Sequence, residues 1–470
     1  MALHLGGLSH IHFRPEVATG KRIGLLQKIF RTACQSLAVL IVSVLVATPV
    51  FAEKSLEDLL VEKGLISAED LDGLEGDDPK TATAEVGKDE GERVKISVDQ
   101  KGLVVQSSDG NFKAAFGGRL QFDAGVFIQD RTRLGDGVEM RRARIKSYGT
   151  VWKNWDYKLE INFDPDLGVP VTDGWLRYSG YKAFSITLGH QKVPFGQSSM
   201  TSSNWQVFQE RALPDAFIDN REQGRRRMGA VLSSHGKMWS YNGGFFAGGL
   251  EDNGANDEDF GTGHRFVFAP IAEKTKVLAF GGSAVYRKFD GASAFALRAR
   301  PEAHTAGPSL VNTGVMLGTS EHALMYNFEV TGVAGRFHGQ AEYTAVRIWR
   351  ESGATELDFS GFYVQAGVFL TGESRNYNQK SGKYLRVIPA NAALGAWEVA
   401  ARFSQIDLAN QDVRGGVQRN VTVGLNWWAN PNVMFRFNYV YGNVEPNSGE
   451  TLGGEDEMIH AFTGRAQVVF

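Results

Sequence analysis

From Phe112 to the end of the chain, apolar and polar positions alternate with a period of two. Leu120, Phe122, Ala124 and Val126 interleave with Arg119, Gln121, Asp123 and Gly125. Tyr157, Leu159, Ile161 and Phe163 interleave with Lys158, Glu160, Asn162 and Asp164. The same rhythm returns at Phe337–Tyr343, at Trp397–Phe403 against Glu398, Arg402 and Ser404, and at Phe435–Tyr441 against Arg436 and Asn438. Strict alternation sustained over many segments predicts strands, because successive side chains of a strand point to opposite faces.

The chemistry of the two faces decides the class. One face is aromatic near its ends and aliphatic or small between; the other is densely charged. A soluble sandwich hides its apolar face, whereas this pattern suits a barrel with lipid outside and water inside. About 16 strand-like stretches share the 359 residues of 112–470, roughly 22 residues for each strand and its connection. The expectation is an all-β protein, a transmembrane antiparallel β-barrel of about 16 strands with a short N-terminal helical or periplasmic segment. Sixteen strands enclose an aqueous lumen rather than a packed core. Trp349, Trp397, Trp427 and Trp428 read as interfacial girdle residues or as cross-strand packing, readings that are compatible.

The N-terminus follows other rules. Lys28 and Arg31 precede the apolar run Leu37–Ala47, then Thr48-Pro49-Val50-Phe51-Ala52 ends in small residues before Glu53. This reads as a signal peptide spanning 1–52, cleaved after Ala52; a membrane anchor is the alternative. The stretch ahead of the run is long, so translation is expected to start near Leu25 or Leu26. Residues 53–76 follow a helical rhythm (Leu56, Leu59, Leu60) broken at Gly64, with Ser67 and Asp70 opening a second turn. They read as an oligomerisation or periplasmic segment, or as a partly ordered tail. Residues 77–111 read as an acidic linker and lead-in, and 112–470 as the barrel domain.

Composition sharpens this. The chain holds 470 residues with 55 Gly, one Cys and a formal charge of −3. Gly is well above its usual share of about 7%, which suits a curved, sheared sheet. Cys34 lies in the expected signal, so the mature chain has none, which excludes a disulfide scaffold and a multi-Cys metal site. The signal carries away five cations and one acid, taking the charge to −7 and giving no pull toward nucleic acid. No segment beyond the signal is apolar enough for a helical span, so insertion into a membrane requires a closed barrel. The final alternating stretch Met458–Phe470 ends on an aromatic, as the terminal strands of bacterial outer-membrane barrels do; it is the expected handle for the barrel-assembly machinery.

Several blocks, in order, resemble the phosphate-selective porin O and P family. They are Phe116-Gly117-Gly118-Arg119-Leu120-Gln121-Phe122-Asp123; Arg141-Arg142-Ala143-Arg144 with Trp155–Asp164; Leu188–Gly196 leading through Thr201–Trp205 to Glu210-Arg211; and Leu370–Glu373, Gly395–Glu398 and Gly424–Asn430. The resemblance covers nearly all of 112–470. It implies a homotrimer in the outer-membrane lipid, loops folded inward to narrow the pore, and basic residues along the path of small anionic solutes such as phosphate or pyrophosphate, with no cofactor and no catalysis. Such an ion sheds water and needs fixed donors of moderate strength, so that it can both enter and leave. Arg offers a planar fork and Lys a point charge.

The expected lining follows. Arg142, Arg144 and Lys146 share a face by period two; they form a cationic track or pair with lumen acids such as Glu160 and Asp164. Arg119, Arg141 and Lys158 lie beside them. Residues 193–222, with Pro194, Gly196 and Pro214, are too long for a tight turn and read as the constriction loop; an external loop is the alternative. Folded inward, they bring Arg211 and Arg221 to the pore, with Arg225 and Arg227 entering the next strand. Arg298 and Arg300 resemble the family's basic ladder. Where selective members carry Lys, this chain has Asp156, Ser199 and Asn204, and part of their ladder falls on Glu302 and Ala306; each exchange weakens a phosphate site.

The acidic run 251–259 lacks the ligand spacing of a Ca²⁺ loop and reads as a solvated loop. The ten His show no metal spacing. A passive diffusion channel is the leading reading; a barrel-embedded enzyme would need a Ser, His and acid at one site, and a plugged structural barrel would not conduct. N-terminal sequencing of the mature protein is expected to begin at Glu53; a chain that retains residues 1–52 would contradict the signal reading.

Overall fold

The computed structural model describes residues 82–86, 94–99, 102–163, 171–219, 225–248, 259–289, 296–314, 320–445 and 456–470. The signal, the helical segment 53–76, most of the run 251–259, Asp164 and Arg221 lie outside the described residues.

Sixteen strands form the barrel. They are β1 (Phe112–Gln129), β2 (Gly137–Val151), β3 (Trp155–Asn162), β4 (Val171–Tyr178), β5 (Phe184–Lys192), β6 (Arg226–His235), β7 (Trp239–Phe246) and β8 (Phe260–Ala272). The second half is β9 (Lys276–Lys288), β10 (Ser320–Ala334), β11 (Phe337–Arg350), β12 (Leu357–Phe369), β13 (Ala396–Asn410), β14 (Val413–Trp428), β15 (Val433–Glu445) and β16 (Glu457–Val469). Each pairs antiparallel with the next, and β16 pairs with β1 from Ile459 opposite Gln129 to Val469 opposite Arg119. That seam removes the sheet edges, as hydrocarbon demands, since an unpaired backbone N–H or C=O there costs several kcal/mol. Phe470 completes it: its carbonyl accepts from Gly118 N at 2.7 Å and its N–H donates to Gly118 O at 3.1 Å. A Cβ at Gly118 would lie 2.6 Å from the Phe470 ring, so only glycine fits.

The segment read as a lead-in holds strands of its own. Ala82–Val86 pairs with Val94–Val98, this second strand pairs with Gly102–Ser107, and the third pairs with Lys113–Phe116 of β1. The sheet is thus prolonged past the seam at the end that carries Phe470.

Facing follows the alternation. Phe328 on β10 is 61% exposed, while its neighbours Asn327 and Glu329 are 1% and 3% exposed. Phe122, Ile145, Phe266, Val364 and Val423 share the outward phase and form the lipid face. Of the four girdle tryptophans, Trp397 stacks on Trp427 and Trp427 on Phe435, each at a centroid distance of 5.4 Å. Trp349 stacks on His322 at 4.6 Å. Trp428 is the exception: it points inward and is fully buried against Phe369, because β14 puts Trp427 on the outward phase and its neighbour takes the other.

The lumen is not empty, because long connections enter it from both ends. The turns at the Phe470 end are otherwise short, which marks it as the periplasmic end. From the opposite end come residues 193–219, with a helical turn at Gln197–Met200 and 3₁₀ turns at Ser203–Trp205 and Leu213–Phe217, and residues 296–314, pinned by the pair Arg298–Ala299 with Val311–Asn312. From the periplasmic end comes the segment joining β12 to β13, with the pair Tyr377–Asn378 and Lys383–Tyr384. Polar wall residues are buried beneath these segments rather than in a dry core.

A charge on the outer face meets lipid. Phe328→Arg is expected to lower the folding free energy by about 2–4 kcal/mol near the bilayer midplane, read by denaturant unfolding from lipid vesicles; no change would place this phase of β10 in water.

Candidate functional site

The loop 193–219 folds across the lumen, and the wall holds it by its backbone carbonyls. Arg436 donates to Asn204 O at 3.0 Å and to Gln206 O at 2.8 Å. Arg465 donates to Gln209 O at 2.7 Å, Arg402 to Glu210 O at 3.2 Å, and Asn426 to Val207 O at 2.8 Å. Across the barrel, Glu342 accepts from Ser198 N at 2.7 Å and Ser283 from Gly196 N at 3.0 Å. A loop without regular secondary structure exposes many peptide groups, and buried peptide groups must be paired; inward-phase side chains around the barrel supply the partners.

A cluster of charges occupies inward positions of β16, β1, β2, β3, β4 and β6, with one acid from the loop. Here seven cations share four carboxylates. Glu160 accepts from Arg119 at 2.7 Å and Arg144 at 2.9 Å and stands 3.3 Å from Lys158. Lys158 also pairs with Asp173, which takes Arg226 at 2.8 Å. Asp123 accepts a two-pronged bond from Arg465, both arms 2.7 Å. Glu210, from the loop, meets Arg465 at 2.7 Å, Arg141 at 3.1 Å and Arg142 at 4.0 Å. The surplus is three positive charges among these groups. Burial pushes the Glu210 carboxyl up, but Arg141, Arg465 and Arg142 outweigh it and hold it well below the usual carboxylate range. Its negative charge therefore persists through neutral pH, and the surplus with it.

The pairing reading for Arg144 is the one realised with Glu160. Arg142 instead donates to Gln121 at 2.9 Å, and Lys146 lies over the Tyr148 ring at 5.1 Å. Strict alternation would turn Arg141 to lipid. The β1–β2 register slips between Gln121 opposite Arg142 and Phe122 opposite Met140, so Arg141 is the extra residue of a bulge, and bulges re-aim side chains. It reaches the loop's Glu210 instead.

Other expected lining residues serve the loops. Arg211 donates to Ser198 O and Thr201 O, both at 2.9 Å, and lies 3.8 Å from Asp215; it braces the loop rather than facing a solute. Arg225 pairs with Asp215 and Asp219. Arg227 lies 3.9 Å from Asp259. Asp259, at the end of the acidic run, is itself buried on Arg287 at 2.7 Å rather than solvated. Arg298 and Arg300 stand on the inserted segment 296–314 and not on a barrel strand, with Arg300 donating to His304 O at 3.4 Å.

The exchanged positions are accommodated. Asn204 accepts from Arg119 at 2.9 Å; a Lys there would face a guanidinium. Glu302 takes Arg402 and Ser404 at 2.5 Å and Thr422 at 2.7 Å, and accepts from Leu213 N at 3.2 Å. It fastens the 296–314 segment to β13, β14 and the first loop; an Arg would oppose Arg402. Asp156 accepts from Thr150 at 3.0 Å.

Arg226, Arg465 and the wall cations Arg402 and Arg436 complete the site without having stood among the expected lining. Strand phase carried the signal for the last three. The segment 370–395 carried none: its Arg375 donates to Trp205 O at 2.5 Å, so loops from opposite ends touch. Arg265 anchors it through Gly382 O at 2.6 Å. Lys383, on this segment, is pushed down to about 8, chiefly by burial and then by Arg265, Lys158 and Arg177. A lysine so depressed is charged below that pH and neutral above it. The lumen's positive charge is therefore expected to fall between about pH 7 and 9, read as a declining anion preference in bilayer recordings; Lys383→Arg should lessen the decline, and an unchanged decline in that variant would rule out Lys383.

The model of the family described as phosphate-selective porin O and P matches residues 115–470. Porin O of Pseudomonas aeruginosa is 29% identical over 408 residues, covering 78% of this chain and 91% of that protein. An uncharacterized protein of Caulobacter vibrioides is 30% identical over 387 residues, covering 77% of this chain and 75% of that protein. An anion-selective porin from Comamonas acidovorans superposes with a TM-score of 0.50 at 11% identity, over 76% of this chain and 99% of the other. A loop-deletion mutant of OmpT, an outer membrane protein of Vibrio cholerae, does so at 0.50 and 10%, over 77% and 100%. At these identities the two structures speak for the fold alone.

Proposed function

The chain belongs to the phosphate-selective porin O and P family and is an outer-membrane channel; on that premise we propose that it passes small anions, phosphate and pyrophosphate among them, passively down their gradients. The observation that carries this is the surplus of three cations in the lumen cluster around Glu160, Asp173, Asp123 and Glu210. Shared carboxylates spread the positive potential over several sites of moderate strength, which favours entry without trapping. The family's description names phosphate, which supports this sign of preference.

Catalysis forms no part of the reading. Flux follows the solute gradient, and fixed charge sets the preference. Export through the signal 1–52, recognition by the assembly machinery through the strand ending at Phe470, and a homotrimer in the membrane complete the proposal.

A weaker phosphate site is favoured over a strongly selective one. Asn204, Asp156 and Glu302 stand where selective members place cations, and each is committed to partners here. Phosphate is then one permeant among small anions.

Reversal potentials in planar bilayers under a KCl gradient are the test. An anion-permeable sign is expected, and Lys146→Glu, a swing of two charges on the lumen wall, should lower the anion-to-cation permeability ratio by about threefold or more. A cation-permeable sign in the unaltered protein would sink the proposal. Partial block of chloride current at millimolar phosphate is expected; no block would make the pore a general anion channel.

A further inference from the structure

Below the constriction, toward the periplasmic end, the same wall carries rings. Tyr148 on β2 stands opposite Lys158 on β3, and Lys158 opposite Trp175 on β4. The row above it is Lys146, Glu160 and Asp173; the row below is Thr150, Asp156 and Arg177. Directly opposed residues share a face, so Tyr148, Lys158 and Trp175 form one inward row: ring, cation, ring. Neighbouring strands lie about 4.8 Å apart, so the two rings flank Lys158 across about 10 Å. Cations cap both. Lys146 lies over Tyr148 at 5.1 Å and Arg177 over Trp175 at 4.6 Å. Beyond Trp175 the next position is Gly189, at φ +124°, whose added Cβ would sit 2.9 Å from the Trp175 Cα; no side chain there crowds the indole. Elsewhere in the lumen, Arg386 lies over Trp205 at 5.0 Å. Tyr148, Lys158 and Trp175, with the capping Lys146 and Arg177, are half-buried.

An inorganic anion has no use for these rings. The π face carries negative potential, which repels bare phosphate or chloride. A planar organic anion gains twice: its ring stacks on indole or phenol, and its carboxylate meets the remaining donor of the Lys158 ammonium, which Asp173 and Glu160 hold in place between the rings. We propose that this row is a subsite for aromatic monocarboxylates, on the periplasmic side of the constriction. It rests on the channel reading and adds a solute class to it. Stacking on one ring lengthens residence only modestly, by about two- to tenfold, so the solute still leaves.

The test uses the full-length protein in planar bilayers carrying KCl current. Benzoate, cyclohexanecarboxylate and acetate are titrated separately from the periplasmic side. Half-block by benzoate is expected at a concentration about two- to tenfold below that for cyclohexanecarboxylate, which has the same charge and similar size but no π face. Trp175→Leu should bring the two together; where that variant forms no channels, Tyr148→Leu gives the same reading. Equal block by benzoate and cyclohexanecarboxylate in a conducting channel overturns the subsite and leaves the channel reading intact. A benzoate advantage that survives both substitutions overturns it too. Absence of any KCl current defeats the channel reading and this inference with it.

Discussion

Backbone in hydrocarbon must pair with backbone. Every other feature of this protein depends on that constraint. Sixteen strands satisfy it only because β16 returns to β1 and Phe470 exchanges both of its backbone bonds with Gly118. Once the sheet is closed, alternation forces half of each strand's side chains to lipid and half to water. The moderate hydrophobicity of the chain is the sum of these two faces.

The wide interior creates a second pairing problem, and the loops solve it together with the wall. Loops 193–219 and 370–395 enter with peptide groups that no strand pairs, and Arg265, Arg375, Arg402, Arg436 and Arg465 donate to their carbonyls, while 296–314 is held through the Glu302 carboxylate on Arg402. Cations in this lumen therefore do two jobs. Some hold loops; those around Glu160, Asp173 and Glu210 leave a positive surplus in the lumen, and Arg465 does both. Charged groups that share partners in this way are fixed in space, which is what a passing ion requires of its donors.

Asn204 and Glu302 show how a relative's site can be altered without losing the fold. Each replaces an expected cation, and each has become a hydrogen-bond acceptor for a wall arginine, Arg119 or Arg402. Nearer the periplasm, Tyr148 and Trp175 each lie under a cation, Lys146 and Arg177.

Strand phase is local, so the amino-acid sequence by itself determined the barrel, its approximate strand number, its lipid face and the inward placement of Arg119, Arg144 and Lys158. The long Pro- and Gly-bearing stretch after β5 also betrayed an inserted loop. Ion-pair partners are not local: Asp123 and Arg465 meet because the first and last strands close the barrel. Only the tertiary structure decided that Arg211 braces its own loop, that a bulge turns Arg141 inward, that Trp428 is buried, and that a segment from the opposite end delivers Arg375 and Lys383. Each of these depends on register between strands or on contact between distant loops, and a period of two carries no record of either.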